Sequence, residues 1–107
     1  MSTSKEFLNY VLEQLSDVPG VSARPMMGEY LVYHEGKLPA LICDDRLLVK
    51  PVEAARALLP EAPMEPPYAG AKDMILVEDV DDREKLTRLF LEMWPQLPLP
   101  KPKKKKN

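Results

Sequence analysis

The chain holds one cysteine, one histidine and four scattered glycines in 107 residues. Each scarcity closes off some chemistry. A single thiol, Cys43, excludes an internal disulfide and suits a reducing compartment. With His34 as the lone imidazole and the carboxylates dispersed, no ligand cluster stands at structural-zinc spacing. Gly20, Gly28, Gly36 and Gly70 are isolated, so there is neither a Walker-type loop nor a GxGxxG turn to cradle phosphates. No apolar run approaches the roughly 18–20 residues that span a bilayer. The start, Met1-Ser2-Thr3-Ser4-Lys5-Glu6, lacks the basic-then-apolar order of a secretory leader. A bacterial cytoplasmic protein is expected, with no cofactor, no metal and no membrane partner.

What is present is an ordinary globular composition, 45% hydrophobic and 30% charged, with length for one modest core. The net charge of −2 conceals a split. Lys101, Lys103, Lys104, Lys105 and Lys106 crowd the end of the chain, and without them ten basic residues face 17 acidic ones. Phosphate affinity comes from a basic footprint on a fold, which this acidic body lacks. The tail alone offers weak, salt-sensitive contact to nucleic acid or an anionic surface, against the plainer reading of a solvated segment.

Residues 3–17 read as a helix. Thr3 and Glu6 have capping-box spacing, Phe7, Leu8, Val11, Leu12 and Leu15 form one stripe, and Pro19-Gly20 ends it. Residues 21–27 lead into three strands, 29–34, 38–43 and 46–50, joined by turns at Glu35-Gly36 and Asp44-Asp45. Pro39 removes a ladder donor and belongs at a strand start or beside a bulge. Residues 51–59 read as a short helix, and 60–67, with four prolines, as an extended loop. Tyr68-Ala69-Gly70-Ala71 weakly signals a fourth strand and 73–78 strongly signals a fifth. A last helix is capped by Asp81 and carries Leu86, Leu89, Phe90, Met93 and Trp94 on its buried stripe. The expected architecture is α+β: an antiparallel sheet of about five strands with helices packed on it, in the order α-β-β-β-α-β-β-α. The domain covers 1–95, and 96–107 is expected to be disordered.

The run Arg24-Pro25-Met26-Met27-Gly28, a tyrosine-bearing strand, the turn glycine Gly36 and the strand end Leu47-Leu48-Val49-Lys50 together resemble the N-terminal domain of the TfoX/Sxy family of bacterial competence regulators. That family shows an Arg-x-Met-Phe-Gly start; here Met27 replaces the phenylalanine, and Glu29 stands where a second glycine is common. Pro67-Tyr68 and Met74 resemble a later family stretch more loosely, and the likeness covers about residues 4–95. It implies the same α+β order and a regulatory or interaction protein rather than an enzyme. The two-domain regulators also carry a helical C-terminal domain with no counterpart in this sequence, so a stand-alone N-terminal domain is expected.

Three cations, Arg24, Lys50 and Lys72, fall at strand ends or entries. They form a candidate rim for an anion, a partner's carboxylates or a phosphate; the competing reading pairs Arg24 and Lys50 with nearby acids. His34 is expected on an exposed turn and Cys43 as a buried, inert thiol at the far end of the next strand, too distant for a nucleophilic pair. Three functions follow in order of support: a protein-interaction module in bacterial regulation, a nucleic-acid-associated protein using the lysine tail, and a small hydrolase or transferase. The sequence names no partner and leaves the oligomeric state open, a homodimer being compatible.

Overall fold

Three two-residue turns fold residues 21–49 into a meander in the computed structural model, which describes residues 3–99. The strands are β1 (Val21–Met26), β2 (Glu29–His34), β3 (Lys37–Cys43) and β4 (Arg46–Val49). The turn pairs Met27-Gly28, Glu35-Gly36 and Asp44-Asp45 all have positive φ, from 49° to 87°. That is the type I′ pattern, whose twist matches antiparallel strands. Two of the turns place glycine second, and Asp44-Asp45 relies on aspartate's tolerance of the left-handed region.

After the meander come α2 (Glu53–Leu58), β5 (Met64–Glu65), β6 (Met74–Leu76) and α3 (Arg83–Met93); α1 (Lys5–Gln14) precedes it. The six strands lie in the order β1-β2-β3-β4-β6-β5, every neighbouring pair antiparallel. The α+β class holds. The strand count is six rather than about five, because residues 21–26 form a full edge strand. Its Ser22, Arg24 and Pro25 hide the alternation that marks a half-buried strand, and an edge is where proline is tolerated. The proline-rich 60–67 segment contains the two residues of β5, whereas Tyr68-Ala69-Gly70-Ala71 is a turn and not a strand. Pro39 does sit at a bulge: the register shifts between Val32–Ala40 and His34–Lys37, setting Leu38 and Pro39 opposite Tyr33.

Both long helices begin one residue later than their capping signals suggest. Ser4 caps α1 by accepting from Phe7 N, and Asp82 caps α3 by accepting from Lys85 N. Thr3 is instead buried, its hydroxyl donating to Glu29 Oε1 at 2.9 Å. Asp81 receives the Tyr10 hydroxyl, while the Gln14 amide donates to the carbonyls of Val80 and Asp81. These bonds tie α1 to the start of α3.

All three helices cover one face of the sheet. The row Ala23, Val32, Ala40, Val49, Ile75 crosses that face in register, under Val11, Leu15, Ala55, Leu86, Leu89, Phe90 and Met93. Packing continues past residue 95: Trp94–Gln96 forms a 3-10 turn and Leu97 joins the core. The expected tail from residue 100 onward, with its five lysines, lies outside the described residues.

The end of α3 is bolted to the β2–β3 hairpin. Trp94 Nε1 donates to the His34 carbonyl at 2.9 Å, Lys37 Nζ donates to the Trp94 carbonyl at 3.0 Å, and the same ammonium lies 3.8 Å from the Trp94 ring centre. His34 is therefore not exposed as its turn position suggested. It is 2% exposed, packed beside Phe90 and Trp94, and Nδ1 has no hydrogen-bond partner among the described residues. Burial lowers its pKa, and the Glu35 carboxylate opposes that shift only in part. The neutral ring is the one the fold accepts. This contribution to stability is full above the unfolded histidine value of about 6.5, and is lost as pH falls from there toward the depressed folded value. Chemical denaturation of His34→Phe should show a flatter pH dependence than wild type between about pH 7 and 5; equal slopes would contradict this role.

Candidate functional site

Among the described residues, no helix covers the opposite face of the sheet. Arg24, Leu31, Leu41, Leu48 and Leu76 cross it as one in-register row, because directly paired residues on antiparallel strands point the same way. Leu41, Cys43, Leu48 and Met74 on this face are buried. Part of their cover is chain rather than helix: the segment 66–73, between β5 and β6, crosses the β4 end of the face.

Arg46 pins that segment. Its guanidinium donates to Glu65 Oε1 at 2.8 Å, to the Pro66 carbonyl at 3.4 Å and to the Pro67 carbonyl at 3.0 Å, while Nε donates to the Cys43 carbonyl at 3.2 Å. One planar fork thus joins β3, β4 and the crossing segment. Beyond it, Ala71 N bonds the Tyr68 carbonyl across a turn whose third residue, Gly70, has φ 86°. That is the type II pattern, which needs glycine there.

Between the segment and the sheet lies a cleft of about 400 Å³. Leu41, Pro67 and Met74 contribute apolar walls, Tyr68 is half exposed at its side, and Lys50 and Lys72 both line it. Neither lysine has an ion-pair partner among the described residues, so the competing reading of neutralised cations does not describe them. Burial lowers the pKa of the Lys50 ammonium.

Arg24 is elsewhere. It stands on the edge strand β1, with β2 and β3 between it and β4. The guanidinium lies 5.8 Å from the centre of the Tyr33 ring, beside Ser22, and also has no carboxylate partner among the described residues. The structure therefore brings two of the three sequence-selected cations together and leaves the third at the far edge. Of the motif residues, Gly28 and Gly36 serve turns, Met26 ends β1, and Met27 is 97% exposed at a hairpin tip.

Cys43 is 1% exposed, and burial, helped by the Glu29 carboxylate, pushes its thiol up to about 11. It is an unreactive core thiol. It also faces away from His34, which packs on the helix side, so the two form no pair. Sequence reasoning passed over Tyr33, Arg46 and Tyr68. Strand parity offered a signal for two of them, since Tyr33 alternates with Leu31 and Arg46 with Leu48 on the outer face. Nothing local announced that Tyr68 lines the same cleft as Lys50.

Among the described residues no helix is long and apolar enough to cross a membrane, and no group of three metal-ligating side chains gathers. A helix-backed antiparallel sheet whose outer face is covered in part by a crossing segment, with cation-lined clefts, defines the class of module. The family model of the TfoX N-terminal domain matches residues 13–91, and the chain belongs to that family. It is also 33% identical, across all of its length and 94% of the other protein's, to an uncharacterized 12.7 kDa protein in the trpE 5′ region of Spirochaeta aurantia. No solved structure matches the chain.

Proposed function

We propose that this protein is a non-enzymatic module of bacterial regulation that works by binding an acidic protein partner, in transcriptional or competence control. The observation that carries the reading is Arg24 held against Tyr33 on the edge strand. Arginine and tyrosine are the side chains most often responsible for binding energy at interfaces. Here the ring steadies the guanidinium, no carboxylate among the described residues neutralises it, and the adjacent edge of β1 offers unpaired backbone groups to a partner strand. Without its terminal lysines the chain has ten basic residues against 17 acidic ones, so an unneutralised arginine is an attractive point for an acidic partner on an acidic body.

Affinity capture from the source cell, with wild type and Arg24→Ala run side by side, tests this. Arg24→Ala should retain its thermal stability, since the side chain is exposed, and should lose a defined acidic partner by about tenfold or more. Equal recovery of every partner would refute the surface. The nucleic-acid reading depends on Lys101, Lys103, Lys104, Lys105 and Lys106, which lie outside the described residues; a gel shift in low salt with and without those lysines separates it from partner binding.

A further inference from the structure

The cleft under the 66–73 segment has features of a small-ligand site that the Arg24 surface lacks. Its volume of about 400 Å³ falls in the range of sites for small molecules. Its apolar walls are fixed rather than improvised: Pro67 and Met74 are buried, Arg46 holds the start of the crossing segment, and the Ala71–Tyr68 bond closes a turn within it. Lys50 and Lys72 border this apolar space, and neither has an ion-pair partner among the described residues. We propose that the cleft binds a small amphipathic carboxylate, an aryl or medium-chain acyl acid, with its apolar body on Leu41, Pro67 and Met74 and its carboxylate between Lys50 and Lys72.

The chemistry of the walls narrows the ligand further. A half-buried ammonium facing apolar surface gains most from an anion that brings its own apolar cover, because the resulting charge-assisted bond forms away from bulk water. Asp73 also lines the cleft, as its one carboxylate. It offsets part of the positive field and so selects a single negative charge over a phosphate ester or a dicarboxylate. The half-exposed Tyr68 ring offers an edge or face to an aryl group. This site is separate from the partner contact proposed at Arg24, and each can fail without the other.

The test is a titration of 4-phenylbutyrate into the full chain carrying 13C-labelled methionine methyls. The Met74 methyl should shift saturably while that of Met93, in the core on the other face, stays in place. The neutral 4-phenylbutyramide should bind about tenfold more weakly. In the Lys50→Gln, Lys72→Gln double variant the Met93 signal should be unchanged, reporting an intact fold, and the preference for acid over amide should disappear. An unmoved Met74 methyl, equal binding of acid and amide, or a preference that survives in the double variant would overturn the proposal. A pentapeptide ending in a free phenylalanine carboxylate serves as a further arm: binding more than about tenfold tighter than the free acid would also overturn it, in favour of a protein C-terminus.

Discussion

Replacing Phe90 by alanine should lower the unfolding free energy by about 4 kcal/mol. Phe90 is fully buried in the middle of α3, packed among the sheet row and against the His34 ring at 6.4 Å between centroids. Truncation removes the ring's transfer energy and leaves a cavity that β-sheet residues on one side and two helices on the other cannot collapse to fill. A domain of this size has roughly twice that stability in total, so the variant should melt far earlier than wild type. The next residue on the helix supplies the control. Leu91 is 46% exposed, and Leu91→Ala should move stability by less than about 1 kcal/mol. Thermal or urea denaturation of the pair reads the difference; similar losses at both positions would contradict the packing described.

Arg46→Ala should cost about 2–3 kcal/mol and, unlike Phe90→Ala, should act on one region. The guanidinium is a quarter exposed, which discounts its ion pair with Glu65, but the carbonyls of Pro66, Pro67 and Cys43 lose their donor as well. A lysine places one ammonium where a fork is needed, so Arg46→Lys should restore little. Hydrogen exchange should accelerate in 66–73 ahead of β2 and β3, and the cleft beside Lys50 should lose its shape. Uniform acceleration across the whole sheet would mean that Arg46 supports the core and not the crossing segment.

These two side chains also mark what was legible in the chain. Phe90 sits on a stripe of period 3.6 between a cap and a proline, so its burial could be read locally. The meander was equally readable, because Glu35-Gly36 and Asp44-Asp45 name their own turns. β1 was not, since Ser22 and Arg24 face the helix-free side and leave no apolar rhythm. His34 misled for a different reason. A residue next to a hairpin turn is usually wet, and Phe90 and Trp94, nearly sixty positions later, make this one dry. The site was half visible: Lys50 and Lys72 were selected as strand-end cations, but their shared cleft depends on a proline-rich segment crossing a face and on Arg46 holding it there. Arg24 was selected with them and belongs to another surface, because register across four strands is a property of pairing and not of composition.

The most direct test of the binding function places a photo-crosslinking amino acid at Tyr33 in the source cell, with a second chain carrying it at Leu91 on the exposed side of α3. A discrete adduct from position 33, absent from position 91 and abolished by Arg24→Ala, is the predicted result. No adduct at position 33, or one indifferent to Arg24, would contradict partner binding at this edge.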